Sequence, residues 1–259
     1  MRNYISVFSL FIKRNFGKSL LLITAFSAAE ALIFLHTLNS NKVLRNEYLT
    51  ETGKTYLLGI EKILEGADAV SFLLGAGFIG ITLLLCLTGC DFSSKQGYTL
   101  RRLNLKEKGV LICQSVYAAT VYGIFFISQA VLYYIFCLIF VNFAEGNPNA
   151  FEGFLTNQTV FLAFYRSNIL HSLMPMEDIL KHISTFIMIC ALGLSTASFS
   201  YFMRRKKLFI ETFILIPVIF LNFMGSWREM TYDMIIIGVS LFIIGIIVTR
   251  LSLEVQTYD

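Results

Sequence analysis

The sequence predicts an all-α fold, a polytopic membrane protein with six transmembrane helices, and three observations support it. Of the 259 residues, 56% are hydrophobic and 15% are charged, whereas a soluble domain usually contains about 25% charged residues. Apolar runs recur at lengths close to the ~20 residues that a helix needs to cross a bilayer core. Basic residues are concentrated in alternate connecting segments. These features predict a single transmembrane domain over residues 1–259.

The predicted spans are six apolar runs. The third run is longer than one crossing requires, so its helix is expected to begin in the cytosol. In chain order the runs cover residues 19–38, 69–88, 110–141, 183–202, 208–224 and 234–250.

The connecting segments predict the orientation of these spans. Alternate segments form two groups, of which one holds 14 Lys and Arg residues and the other holds 7. Because cytosolic loops carry an excess of Lys and Arg, the first group is expected inside, with both termini cytosolic. The net charge of +4 then reflects topology and does not indicate nucleic-acid binding. The cytosolic group comprises residues 1–18, 89–109, 203–211 and 250–259, and the outer group 39–68, 142–182 and 225–233.

Two connecting segments have features of their own. Residues 1–18 predict an amphipathic helix on the inner membrane surface, because apolar residues recur at helical spacing beside Lys13, Arg14 and Lys18. The alternative is an extension of the first span. The outer segment 142–182 is unusually apolar, which indicates a partly interfacial or re-entrant helix that ends before Pro175.

Sequence motifs give little support for catalysis or metal binding on this chain. The string "GAGFIG" at residues 75–80 matches a dinucleotide fingerprint, but it lies inside an apolar span without the strand that the fingerprint requires. Its small residues are better explained by close helix packing. No P-loop, HExxH or GxSxG pattern occurs. We therefore expect no catalytic residue, no metal site and no cofactor on this chain.

Polar residues inside the spans are the candidate substrate path. Glu30 lies about 18 Å into the first span, where an ionised carboxylate is costly unless it faces protein or water. It is expected either to serve a substrate path or to form a structural hydrogen bond. The third span carries a polar stripe that lines a cavity or a helix interface. The stripe residues assigned to the path are Gln114, Tyr117, Tyr122, Gln129 and Tyr133.

The basic segment between spans two and three suggests a partner-binding helix. Ser93 or Ser94 can cap a short helix, and Asn104 with Glu107 can form a capping box that opens the third span's helix. A short helix over residues 93–105 is therefore expected at the cytosolic surface. The alternative is an ordinary basic loop.

This pattern resembles the membrane (permease) subunit of an ATP-binding-cassette exporter of the type-2 permease class. Residues 2–17 match the elbow helix of that family, and 93–103 lie where its coupling helix belongs. The string "TLRRLNLKEKGVLICQSVY" at 99–117 is similar to the entry to the third span in small permeases of Gram-positive bacteria. The family commonly places re-entrant helices between spans five and six, where this chain has only the short segment 225–233.

The resemblance implies a multi-pass protein of the bacterial plasma membrane that contacts lipid and dimerises with a second copy or a homologous permease. It implies that a separate ATPase subunit carries ATP and Mg and drives alternating access. The exported substrate is expected to be hydrophobic or amphipathic, such as an antimicrobial peptide, a lipid or a drug. The residues assigned to ATPase coupling are Tyr98, Leu100, Arg101, Arg102 and Leu103.

Two other functions remain open from the sequence. The first is a membrane sensor or immunity protein that binds a peptide through its outer segments and transports nothing. The second is an intramembrane enzyme that uses Glu30, although no second intramembrane acid or histidine is placed to assist it.

Overall fold

The computed structural model describes residues 2–41, 60, 64, 68–90, 107–145, 167–175, 178–205, 207, 209–224 and 230–256. Each predicted apolar run overlaps one helix of this part of the chain. The helices are α1 (Arg2–Asn41), α2 (Asp68–Cys90), α3 (Glu107–Glu145), α4 (Asn168–Leu173), α5 (Ile179–Arg204), α6 (Glu211–Met224) and α7 (Met230–Gln256).

Four of these helices are long and apolar enough to cross a membrane. Their qualifying segments are Tyr4–Asn39, Glu107–Phe143, Ile179–Met203 and Met230–Leu253. The apolar parts of α2 and α6 are shorter, at Phe72–Thr88 and Glu211–Phe223. The described residues thus have the all-helical, multi-pass character that the composition predicts. The full count of six spans stays a prediction.

The helices α3, α5 and α6 alternate in direction. At one end of the bundle, Arg205 follows the last residue of α5 and donates a hydrogen bond to Glu107 at the start of α3. At the other end, Lys181 in the first turn of α5 donates to the carbonyl of Asn222 near the end of α6. Helices α3 and α5 are therefore antiparallel, as are α5 and α6, which is the order expected of successive spans.

Residues 1–18 do not form a helix separate from the first span. Helix α1 runs unbroken from Arg2 to Asn41, as the alternative of an extended first span requires. The apolar residues Val7 and Phe11 at its start are buried, and the Phe8 and Phe11 rings pack against Tyr117 of α3. Part of the apolar surface of this segment is therefore covered by α3. Its role as an elbow stays a prediction.

The outer segment contributes one short helix to the bundle. Helix α4 ends at Leu173, two residues before Pro175. Its apolar residues Ile169, Leu170 and Leu173 are buried, and the helix contacts α3 and α6. This stretch of the predicted apolar segment thus packs against the helices beside it.

Helix α5 is the centre of the bundle. It packs most extensively against α3 and also contacts α2, α6 and α7. Small residues allow this, since Ala191, Gly193 and Ser195 are all buried. At Gly193 the two backbones meet closely, because an added Cβ would lie 2.9 Å from the Ser115 carbonyl oxygen of α3. Small residues permit such contacts between membrane helices.

The "GAGFIG" segment also serves helix packing. It lies within α2, and each of its glycines faces a phenylalanine ring from a different helix. Gly75 faces Phe220 of α6, Gly77 faces Phe125 of α3 and Gly80 faces Phe26 of α1. The glycines make room for rings, so the segment holds α2 against three neighbours.

Gly193→Ala should destabilise the bundle, because the new methyl group would overlap backbone atoms of α3 that cannot rotate away. We expect a loss of about 1–3 kcal/mol in the free energy of unfolding, measured by titration with a denaturing detergent in mixed micelles. Gly238→Ala on α7 is the matched control, since nothing lies within 4 Å of its added Cβ. Equal stability of the two variants would contradict the close approach of α5 and α3.

Candidate functional site

A buried polar cluster lies between α1 and α3. Ser27 and Glu30 share one face of α1, because they are three residues apart, and Gln129 and Tyr133 share one face of α3. Glu30, Gln129 and Tyr133 are each 0% exposed. The Gln129 amide and the Tyr133 ring lie beside the Glu30 carboxylate. We call these four residues the Glu30 cluster.

The Glu30 cluster has few hydrogen bonds for its burial. Gln129 Nε2 donates to Ser27 Oγ over a long 3.4 Å. Among the described residues, neither Glu30 carboxylate oxygen has a hydrogen-bond partner, nor do Gln129 Oε1 and the Tyr133 hydroxyl. Burying polar groups without partners costs free energy. This makes the cluster a candidate site for a ligand.

Aromatic rings cover the cluster toward the C-terminal ends of α1 and α3. Phe34, one turn beyond Glu30, stacks on Phe136 of α3 with ring centroids 4.3 Å apart. Phe136 also contacts Tyr133, with centroids 5.5 Å apart. These rings exclude water from the carboxylate on that side.

The other predicted path residues do not join the cluster. Gln114 Nε2 donates to Ser200 Oγ of α5 over 2.7 Å. The Tyr122 hydroxyl and Thr82 Oγ1 of α2 are 2.7 Å apart. The Tyr117 ring packs against the start of α1. The polar stripe therefore meets three different helices, and only Gln129 and Tyr133 accompany Glu30.

The predicted coupling residues Tyr98, Leu100, Arg101, Arg102 and Leu103 lie outside the described residues, as does the predicted helix over 93–105. The described chain resumes at Glu107, whose Oε2 accepts a hydrogen bond from Arg205 Nη2 over 2.6 Å. The Arg205 guanidinium also lies 4.5 Å from the centre of the Tyr201 ring. Glu107 thus joins the start of α3 to the end of α5, beside the basic segment. Its predicted capping partner Asn104 is also outside the described residues.

A second buried polar cluster, which the sequence reasoning missed, joins α5, α6 and α7. Lys181 Nζ lies 3.4 Å from Asp233 Oδ1 and donates to the Asn222 carbonyl over 2.9 Å. Ser184 Oγ donates to the same Asp233 oxygen over 3.0 Å. The two charged residues are only 4% and 7% exposed. We call these four residues the Lys181 cluster.

Helix ends explain the Lys181 cluster. The Asn222 carbonyl is one of the last four of α6, which have no partner within their own helix. Asp233 lies in the first turn of α7, where a negative charge is favourable, whereas Lys181 in the first turn of α5 opposes the helix dipole. The cation therefore depends on its two oxygen partners from the other helices. The sequence did contain a signal for this cluster. Lys181 and Asp233 have opposite charges, and each lies at the end of an apolar run that is predicted to reach the same membrane face.

The described residues include no group of three or more His, Cys, Asp or Glu side chains that could hold a metal ion. The Glu30 cluster supplies one carboxylate with amide and hydroxyl groups, which can bind a ligand by hydrogen bonds and charge. Comparison of the chain with protein-family models, with curated proteins and with solved structures finds no match.

Lys181→Met should leave Asp233 buried beside the single hydroxyl of Ser184. Removing one partner of a buried ion pair costs about 3–5 kcal/mol, so the free energy of unfolding should fall by roughly that amount. The double variant Lys181→Met/Asp233→Asn should recover part of the loss, because no uncompensated charge remains.

Glu107→Gln is the control for this pair, since its side chain is 69% exposed in its contact with Arg205. It should cost less than about 1 kcal/mol, as exposed ion pairs do. Both variants are measured in the same detergent titration. An equal loss in the free energy of unfolding for Lys181→Met and Glu107→Gln would show that the buried pair does not join the three helices.

Proposed function

We propose that this chain is the transmembrane subunit of an ATP-driven exporter of the ATP-binding-cassette class, which moves a hydrophobic or amphipathic substrate across a bacterial plasma membrane. The observation that carries the proposal is the Glu30 cluster, a buried carboxylate without a partner among the described residues. It lies between two helices that are long and apolar enough to span a bilayer. Ionisable groups at such positions mark substrate or ion pathways.

The helix order gives further support. The antiparallel packing of α3 with α5 and of α5 with α6, together with the 39-residue length of α3, agrees with the permease pattern that the sequence resembles. Two copies of the chain, or this chain and a homologous permease, would form the transport path. ATP and Mg would bind to a separate ATPase, and its closure would act through residues 93–105.

The described contacts offer a route from that segment to the spans. Glu107, just after it, bonds Arg205 at the end of α5, and α5 contacts α2, α3, α6 and α7. A displacement of residues 93–105 would therefore reach the central helix through one ion pair. No covalent step is assigned to this chain, which would not itself be an enzyme.

Leu103→Asp tests the proposal. If residues 93–105 bind a groove on the ATPase, the apolar face of this helix is buried there, and a charge on that face costs several kcal/mol without a partner. The variant should insert normally but fail to co-purify with an ATP-binding-cassette ATPase that the wild-type chain recruits. It should also lose substrate-stimulated ATP hydrolysis.

Arg101→Ala and Arg102→Ala are the controls. Charges at the rim of an interface mainly alter association rate and salt sensitivity, so these variants should still recruit the ATPase at low salt. A wild-type chain that co-purifies with no such ATPase from its own membranes would contradict the proposal. If it nevertheless binds peptides from outside, the chain is a sensor or immunity protein.

A further inference from the structure

The Glu30 cluster contains a carboxylate and an amide oxygen that have no hydrogen-bond partner among the described residues. Its oxygens without a partner among the described residues are both carboxylate oxygens of Glu30, Gln129 Oε1 and the Tyr133 hydroxyl oxygen. The Gln129 amide nitrogen donates to Ser27 over 3.4 Å and also lies beside the Glu30 carboxylate. A carboxylate without a partner, beside an amide oxygen without one, is complementary to a group that carries several N–H bonds and a positive charge.

Neither α1 nor α3 supplies such a cation to the cluster from its described residues. On α1 the closest preceding basic residue is Lys18, about 18 Å away along the helix axis. His36 is nearer in sequence, but its side chain is exposed while Glu30 is buried. On α3 the only Lys or Arg is Lys108, near the start of the helix. A cation at Glu30 must therefore come from outside these two helices.

We propose that the Glu30 cluster binds the primary ammonium group of a cationic, amphipathic ligand. This inference rests on the proposed function, since it gives the class of substrate that the exporter would carry. The ammonium group would donate to the Glu30 carboxylate and to the Gln129 and Tyr133 oxygens. The aromatic rings of Tyr133, Phe34 and Phe136 would add favourable contacts with the charge.

The surroundings favour an ammonium group attached to an apolar tail. At the level of the cluster, α1 and α3 expose large apolar side chains on the faces turned away from it, including Leu32, Leu35, Ile127 and Val131. The cluster therefore lies at a depth where both helices face lipid, and an apolar tail could enter that lipid when the two helices separate. A divalent metal ion is a poorer match for the cluster, because such ions take several oxygen ligands and the cluster offers only one carboxylate. A metal ion would also make no use of the apolar surroundings.

Access to the cluster requires α1 to move away from α3. Helix α1 is the least buried of the four long helices, and its polar link to α3 within the cluster is the 3.4 Å bond between Gln129 and Ser27. Little polar interaction is therefore lost when the two helices separate at this level. The energy of the new ion pair would stabilise the open arrangement.

Binding of radiolabelled octylamine to the purified full-length protein tests this inference. Octylamine is protonated at pH 7, and octanol has the same chain without the charge or the ammonium donors. In a scintillation proximity assay in uncharged detergent, the wild type should bind octylammonium saturably. Unlabelled octylammonium should compete, and octanol should not.

Glu30→Gln should weaken octylammonium binding at least about tenfold, because hydrogen bonds to charged groups contribute more than neutral ones. Glu107→Gln, the same change at an exposed and distant carboxylate, should leave the affinity unchanged. Tyr133→Phe keeps the ring and removes one oxygen, so it should weaken binding by a smaller factor. It carries the test if Glu30→Gln does not fold.

Three results would overturn the inference. The first is no saturable binding to the wild type, and the second is competition by octanol as strong as by octylammonium. The third is equal affinity in the wild type and Glu30→Gln, or in the wild type and Tyr133→Phe if Glu30→Gln does not fold. These results are separable from the proposed function. A chain that recruits its ATPase but does not bind octylammonium remains an exporter of another substrate class. A chain that binds octylammonium at Glu30 but recruits no ATPase has the site without the assigned transport.

Discussion

The close approach of α5 to α3 at Gly193 determines how the other helices can be arranged. With an added Cβ only 2.9 Å from the Ser115 carbonyl oxygen, the two backbones are as near as a residue without a side chain permits. In lipid, where the hydrophobic effect does not drive helices together, such close packing is a main source of association energy. Once α3 and α5 are joined, α2, α6 and α7 pack on the remaining faces of α5, and α1 packs on α3.

Charged pairs complete this arrangement at both ends of the bundle. Arg205 with Glu107, and Arg250 with Glu211 at 2.7 Å, join helices at the end predicted to be cytosolic. The Lys181 cluster joins α5, α6 and α7 at the opposite end. Glu30 differs from all of these, because it is buried midway along α1 with no described partner. The charges that join the helix ends are thus paired, whereas the carboxylate midway along α1 has no partner among the described residues.

The sequence could predict the helices but not all of their partners. Apolar length located the four long helices and the shorter apolar helices α2 and α6, because lipid demands runs of about 20 apolar residues. The helical spacing in the sequence predicts one polar stripe that contains Gln114, Tyr122 and Gln129, and all three are buried. It could not show that α5, α2 and α1 each meet that stripe at a different level, because a helix as long as α3 contacts several neighbours along its length. Lys181 and Asp233 are distant in sequence, so only tertiary packing reveals their pairing.

The account places the end of the bundle that holds Arg205 in the cytosol and the end that holds Lys181 outside. Sided cysteine labelling tests this most directly, with Lys207→Cys and Met174→Cys introduced separately into a chain without its native cysteines. Both side chains are exposed in the structure. The account predicts that an impermeant maleimide labels Met174→Cys in intact cells and Lys207→Cys only after permeabilisation. Labelling of both from the same side, or of Lys207→Cys alone from outside, would contradict it.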